Sequence, residues 1–305
     1  LNDFLPDWQD NKNVFNTPAI QDDFYFLTKK SKIKLPIPKY MHNDGNYIIS
    51  LGNMCRWLKE EAENIGVDIY TGFSAYDVIY GDNEEVCGVV TGDMGIDKDG
   101  NQKDNYQAAI ELRAKYTIMA EGCRGSISEK IIKKFDLRSE CDPQNYAIGI
   151  KELWEIDPKV SKPGHITHSI GWPLDKNTYG GSYIYLLSDY LLAYGFVIGL
   201  DYKNPYLSPF EEMQRFKTHP YFKELFINGK RLSYGARALN EGGYQSIPQL
   251  TFPGGVLIGC AAGFINVPKI KGTHNAIKSA LIAAETIYEA INSKRSHDKL
   301  TDYQI

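Results

Sequence analysis

The chain has 305 residues, 43% of them hydrophobic and 24% charged, a balance that supports a packed core and excludes disorder as the main state. Its 34 basic and 38 acidic residues leave a net charge of −4, which removes the electrostatic case for a nucleic-acid binder. No apolar run approaches the roughly 18 residues that a membrane-spanning helix requires.

The sequence opens at Leu1-Asn2-Asp3-Phe4 without an initiator Met and stops at Tyr303-Gln304-Ile305, the pattern of a processed or partial product. Residues 1–46 are rich in Pro, Asn, Asp and Lys. Lacking periodicity, they predict extended loop with short helical turns, closed by the turn Asn43-Asp44-Gly45-Asn46. Leu51, Met54, Cys55, Leu58, Ala62 and Ile65 recur at helical spacing, and Gly66 stops the run. Residues 67–70 read as a short strand. Residues 75–80 and 86–91 flank Gly81-Asp82-Asn83 as a hairpin, and 97–101 form a second tight turn. Residues 109–112 lead to a strand at 116–120, a glycine turn, and a helix near 127–134.

From about Asn145 the texture changes. Runs at 146–153, 182–187 and 192–200 carry glycine and aromatic residues in the manner of an antiparallel sheet, and 205–226 read as helical. Residues 255–259 form a buried strand. A glycine-punctuated loop follows, then a helix from Thr273 with Ala276, Ile277, Ala280, Leu281, Ala284, Ile287, Tyr288 and Ile291 on one face. Helix-and-strand units at both ends therefore bracket a sheet-rich middle, a mixed α/β (α+β) class. The five cysteines, Cys55, Cys87, Cys123, Cys141 and Cys260, include no CxxC pair. The sequence thus holds no zinc ribbon or self-contained iron–sulfur motif, and it suits a reducing compartment.

Two segments carry chemistry. In Tyr116-Thr117-Ile118-Met119-Ala120-Glu121-Gly122-Cys123-Arg124-Gly125-Ser126 a strand runs into two glycines and a helix, a turn that lets backbone approach a phosphate or sugar. In Gly255-Val256-Leu257-Ile258-Gly259-Cys260-Ala261-Ala262-Gly263-Phe264, followed by Lys271-Gly272-Thr273-His274-Asn275, a buried strand ends in small residues before a long apolar helix. The amides and dipole of that helix favour an anionic or electron-rich group. Each segment alone also reads as a tight turn without a ligand, with Thr273 as a plain N-cap.

Together the pair resembles the later FAD motifs of the glutathione-reductase and hydroxylase group of flavoproteins. The wider sequence resembles the electron transfer flavoprotein–ubiquinone oxidoreductases. The runs that carry this are Gly149-Ile150-Lys151-Glu152-Leu153-Trp154, Gly171-Trp172-Pro173-Leu174-Asp175, Thr178-Tyr179-Gly180-Gly181-Ser182, Val197-Ile198-Gly199-Leu200-Asp201-Tyr202, Asn204-Pro205-Tyr206-Leu207-Ser208-Pro209-Phe210, Ala236-Arg237-Ala238-Leu239-Asn240-Glu241-Gly242-Gly243 and Asn266-Val267-Pro268-Lys269-Ile270-Lys271-Gly272-Thr273-His274. The amino-terminal GxGxxG and the carboxy-terminal [4Fe–4S] cysteine set of that family have no counterpart here. Ser50 stands where the family commonly has an arginine.

The resemblance implies a discontinuous FAD-binding domain, with its first part at 1–144 (lacking the first βαβ unit) and its second at 251–305, around a ubiquinone-binding insert at 145–250. It carries over Glu121, Gly122, Gly125, Gly259, Ala261, Gly263, Gly272, Thr273 and Asn275 as FAD-facing positions, each small or presenting an amide. Tyr179, Gly180 and Gly181 become the ubiquinone contact, with the glycines against the head group; without the resemblance, Gly180-Gly181 reads as a hairpin bend. No residue is assigned as catalytic and none as a metal ligand. His274 suits a structural or helix-end role better than a base. His165 and His168 read as a hydrogen-bonded or solvated pair on one face of a strand.

The implied activity is electron transfer from reduced electron transfer flavoprotein through FAD, and a 4Fe–4S cluster without ligands in this chain, to ubiquinone. The implied location is the matrix face of the mitochondrial inner membrane, held monotopically, with residues 1–5 trailing from a membrane-contacting segment. Two other readings stand beside it: a related flavin reductase of a polyprenyl-type lipid, and a flavin-free structural subunit of a larger assembly.

Overall fold

The computed structural model describes residues 1–2 and 4–303; Asp3, within the expected membrane-contacting segment, and Gln304 and Ile305 lie outside the described residues. In chain order the elements are β1 (Gln21–Leu27), β2 (Lys32–Lys34), α1 (Leu51–Asn64), β3 (Ala75–Tyr80), β4 (Val86–Thr91), β5 (Met94–Ile96), β6 (Gln102–Gln107), β7 (Glu111–Arg113), β8 (Thr117–Met119) and α2 (Ser126–Lys134). There follow β9 (Tyr146–Glu155), β10 (His165–Gly171), β11 (Gly180–Leu186), β12 (Leu191–Gly199), α3 (Pro209–Lys217), β13 (Lys230–Asn240), β14 (Thr251–Phe252), β15 (Gly255–Leu257) and α4 (Thr273–Asn292). They form two compact units, residues 1–69 with 145–239 and residues 70–144 with 240–305.

The first unit is built on a seven-stranded sheet, β13-β9-β12-β11-β10-β1-β2. β9, β12, β11 and β10 pair antiparallel in turn, whereas β1 joins β10 in parallel. Along β12 the residues Leu192, Tyr194, Phe196 and Ile198 alternate onto one face and meet Met213, Phe216, Phe222 and Phe226. Tyr194 stacks on Phe216 with ring centroids 5.0 Å apart, and its hydroxyl donates to the Met213 carbonyl at 3.1 Å. α3 starts where the sequence provides a start: the Ser208 hydroxyl accepts from the Glu211 amide, Pro209 opens the first turn, and Glu211 and Glu212 complement the dipole.

The same core face holds a buried carboxylate. Glu152 receives Lys217 at 2.8 Å, Arg231 at 3.2 Å and the Trp154 indole at 2.8 Å. Burial works to raise its pKa, but the Lys217, Trp154 and Arg231 contacts outweigh it and hold the carboxyl below its ordinary value.

The second unit contains the antiparallel sheet β3-β4-β7, the hairpin β5-β6, and the sheet β14-β15-β8. β15 and β8 run parallel, with Leu257 opposite Met119. β15 is covered on both faces. Leu257 joins the cluster of Val78, Ile127, Ile131 and Phe252, while Val256 joins Ala283, Ala290 and Leu300 beneath α4. A strand buried on two sides must be apolar throughout, which accounts for the unbroken run Val256-Leu257-Ile258.

Several expectations change. Residues 1–46, read as loop, contain β1 and β2, because β1 finds a partner in β10, far along the chain. Residues 67–70 are not a strand; among the described residues no strand pairs with them. β13 is an addition to the expected strands, β10 extends the strand read at His165 and His168 to Gly171, and the helix expected over 205–226 is reduced to α3 and a single turn at Lys223–Leu225, since Pro220 disfavours continuation through His219. Residues 1–69, placed by sequence with the first flavin-binding part, cluster with the sheet-rich middle through β1, and residues 240–250 fall with the second unit. Ser50, at the family's arginine position, caps α1 by accepting from the Asn53 amide at 3.3 Å.

Candidate functional site

In the second unit the two glycine segments leave neighbouring strands at the same edge. β8 and β15 are parallel, and the Ile258 amide donates to the Met119 carbonyl at 3.1 Å, so pairing continues to the brink of both loops. The carboxyl edge of parallel strands is where such sheets hold ligands. Burial pushes the Cys260 thiol up, and the Cys123 thiol of the other loop adds to the shift.

The two helices that follow begin differently. The Glu121 carboxylate accepts from the Ile127 amide at 3.3 Å, the Ser128 amide at 2.6 Å and the Ser128 hydroxyl at 2.7 Å, so the start of α2 is already supplied with an anion. Its side chain also fills the space where a Gly125 side chain would go. α4 has no side-chain cap. Its first internal bond runs from the Ala276 amide to the Gly272 carbonyl at 3.0 Å, leaving the amides of Thr273, His274 and Asn275 without intrahelical acceptors. The Asn275 side chain ties the Phe264 carbonyl at 2.7 Å. Burial, with the charges of Lys269 and Lys271, lowers the His274 pKa, so its imidazole stays neutral at pH 7 beside two cations.

Of the two features expected at Gly259, Ala261 and Gly263, small size or an exposed amide, the first is the one present. Their N–H groups bond to Ser279 Oγ, the Ile258 carbonyl and the Cys260 carbonyl. Small size serves packing here: a side chain on Gly259 would press on Ala276 at 3.3 Å. A carbon at the Cβ position of Gly122 would meet open space. An uncapped helix start beside Lys269 and Lys271, fronted by small residues, fits an anionic dinucleotide.

In the first unit the relevant surface is the sheet face opposite α3. Tyr179, Gly181, Tyr183 and Tyr185 alternate along it, facing Gly199, Val197, Gly195 and Ala193 of β12. The Tyr179 ring lies against Gly199, where a Cβ would be 3.3 Å from Cδ1, and the Tyr183 ring covers Gly195. Between these rings, about 13 Å apart along the backbone, the two strands present only Gly181 and Val197, and this low stretch of the sheet face is the slot. Ile170 and Phe26, 38% and 41% exposed, continue the row across β10 and β1 to Ile33 of β2.

Gly180 and Gly181 are not a hairpin bend. They lie within β11, where a side chain on Gly180 would strike the Val197 carbonyl and one on Gly181 would come 2.6 Å from the Ser169 carbonyl oxygen. Sequence reasoning missed Phe26, Ile170, Tyr183 and Tyr185. The alternation of Tyr179, Gly181, Tyr183 and Tyr185 was the available signal. His165 and His168 do not share a face, since three positions in a strand place them on opposite sides. His165 meets Asp23 at 2.7 Å, and His168 meets Tyr185 at 3.1 Å.

Residues 146–239, which include the slot, match the family model for the electron transfer flavoprotein–ubiquinone oxidoreductase ubiquinone-binding domain. Electron transfer flavoprotein–ubiquinone oxidoreductases of Homo sapiens and Pseudomonas aeruginosa are 51% and 50% identical to the chain over 99% of its residues. Its kinship is with this family. The chain spans about half the length of these relatives, 50% and 56% respectively. Among solved structures, a geranylgeranyl bacteriochlorophyll reductase-like protein from Thermoplasma acidophilum aligns with 93% of this chain and 65% of its own, at TM-score 0.70 and 19% identity. The flavin-dependent brominase Bmp2 aligns with 94% of this chain and 66% of its own, at TM-score 0.60 and 20% identity. Identities this low speak for the fold alone. It is the mixed α/β fold of flavin-dependent enzymes, as the sequence predicts.

Proposed function

We propose that the protein to which this chain belongs transfers electrons from reduced electron transfer flavoprotein through FAD to ubiquinone. The match of residues 146–239 to a ubiquinone-binding domain carries this reading, because that stretch contains the slot between Tyr179 and Tyr183. FAD, when bound, would supply the redox chemistry, while the chain supplies position and polarity.

In the second unit the open amides of Thr273, His274 and Asn275 hold the electron-rich part of the dinucleotide. Gly122, Gly125, Gly259, Ala261, Gly263 and Gly272 keep the surrounding loops slim, and Glu121 fixes the α2 end of the cradle. In the first unit Gly181 floors a flat-ring site with Gly180 behind it and Tyr179 at its rim, while Phe26, Ile170 and Ile33 offer apolar surface to an isoprenoid tail. Among the described residues no group of three or more His, Cys, Asp or Glu is arranged to hold a metal ion. The reading assigns the ligands of its 4Fe–4S cluster to polypeptide outside this chain. The relatives from mammals are mitochondrial by name, and the reading places this protein on the matrix face of the inner membrane. The reading has the protein attached monotopically; no helix among the described residues is long and apolar enough to cross a membrane.

The test is an assay of the flavin-loaded full-length protein with reduced electron transfer flavoprotein as donor and ubiquinone-1 as acceptor. Quinol formation is expected. A yellow, flavin-replete protein inert toward ubiquinone-1 would overturn the reading in favour of a polyprenyl-lipid reductase, and a colourless one in favour of a structural subunit.

A further inference from the structure

A single cation stands on the sheet face that carries the slot. Along β9 the side chains of Ile148, Ile150 and Trp154 pack into the core and Glu152 is buried against Lys217, so the alternate residues Gly149 and Lys151 fall on the slot face. Gly149 pairs with Val197 and Lys151 with Gly195, which puts Gly181, Val197 and Gly149 in one row across three strands. Both ends of the row are apolar. Ile170 Cγ2 is 3.4 Å from where a Cβ on Gly181 would stand, and Leu239 Cδ1 is 3.3 Å from the corresponding point on Gly149.

Lys151 occupies a corner of this enclosure. The Tyr183 ring covers Gly195, its ladder partner, and Gly149 is one face position away, about 7 Å along the backbone. Lys151 is exposed and, among the described residues, has no hydrogen-bond or ion-pair partner. β1, β9, β10, β11 and β12 contain no other lysine or arginine on either face. The charge holds nothing in the fold, yet it stands beside the one stretch of the face that glycine keeps low.

We propose that Lys151 is the cationic contact of the quinone head group, its ammonium hydrogen-bonded to one of the two carbonyl oxygens over the slot floor. The proposal rests on the quinone reading above. The four-carbon stem carries the ammonium from β9 to the floor and packs its methylenes along the Tyr183 ring. Converting the quinone to a quinol consumes two electrons, which the proposed activity delivers, and two protons, which water supplies. Lys151 keeps its own proton throughout. As electron density moves onto the oxygen, the contact becomes charge-assisted from both sides, so it stabilises the species being formed more than the neutral quinone. The apolar ends at Ile170 and Leu239 strengthen it by keeping water from the floor.

The test uses flavin-loaded full-length protein carrying Lys151→Met, which keeps a long unbranched side chain and drops the charge, or Lys151→Arg, which restores the charge. Each is assayed with ubiquinone-1 and with a ferricenium salt, an acceptor that has no carbonyl oxygen. Inhibition of the ubiquinone-1 reaction is compared for 2-hydroxy-1,4-naphthoquinone, an anion at pH 7, and neutral 1,4-naphthoquinone. Lys151→Met is expected to lower kcat for ubiquinone-1 about tenfold or more, short of the roughly 10²–10³-fold loss of a fully enclosed donor. The ferricenium rate should stay within about twofold of wild type. The anionic inhibitor should weaken by about tenfold and the neutral one by less than about twofold, with Lys151→Arg recovering most of each loss. Equal losses with both acceptors, equal weakening of both inhibitors, or no loss would overturn the contact. A wild-type protein that reduces ferricenium but not ubiquinone-1 would instead bring down the quinone reading, and the contact with it.

Discussion

Tyr183 lies across Gly195, its partner in the β11–β12 ladder, so closely that a Cβ on Gly195 would fall among Cε1, Cζ and Oη of the ring. One tyrosine wall of the slot therefore depends on a missing side chain on the neighbouring strand. Gly195→Ala is expected to displace the ring and cost about 1–3 kcal/mol through overpacking. Thermal unfolding should register that loss, and quinone turnover should fall more than the stability change accounts for, because the displaced ring closes the slot over Gly181.

Gly272 separates two effects that usually travel together. Its φ of −124° suits any residue, and a Cβ there meets Ile265 only at 3.4 Å. Gly272→Asp would place a carboxylate on the open amides of α4, strengthening the helix by about 0.5–1 kcal/mol. The same carboxylate would occupy the ground assigned to the dinucleotide. Calorimetry should show a higher unfolding midpoint for the flavin-free protein, while flavin bound per chain drops.

At the other helix, Glu121 should behave in the opposite sense. Glu121→Ala removes three hydrogen bonds from the start of α2 and is expected to cost about 1 kcal/mol. Glu121→Gln keeps an acceptor and should recover most of that. Chemical denaturation of the three proteins orders them.

Acid should find Glu152. Its pKa is held below the ordinary 4.5 in the folded state, so its contribution is complete above that value and disappears as pH falls through the lowered folded pKa. Glu152→Gln leaves Lys217, whose side chain is 12% exposed, without its counter-charge, at a cost of about 3 kcal/mol near neutrality. Only below the lowered folded pKa should the variant and wild type converge, since both then lack the anion. Denaturation midpoints measured from pH 7 downward check this.

What the sequence disclosed follows from how far each signal reaches along the chain. The β3–β4 hairpin, α2, β8, β15 and α4 are encoded by local period, turn residues and glycine stops, and the segments bearing Glu121 and Thr273 are brought to one sheet edge as their motif order requires. β1 was illegible because its partner lies beyond β9, and a seven-residue stretch with charged Asp22 and Asp23 shows no closed apolar alternation by itself. In the flavin region, sequence marked the small residues without distinguishing a glycine whose amide is spent on Ser279 from an amide left open at Thr273. In the quinone region it marked Gly180-Gly181 yet missed Phe26 and Ile170, whose place beside the slot depends on register across three strands.

The parallel docking of β1 on β10 also governs how this chain must be made. Gln21 cannot meet His165 until β3 through β9 have been synthesised, so early in translation a strand bearing Phe24, Phe26 and Leu27 leaves the ribosome with β2 on one edge and the other edge unsatisfied. Closing so long a connection slows assembly, and the nascent amino-terminal stretch is a natural client for a chaperone until β10 emerges to claim it.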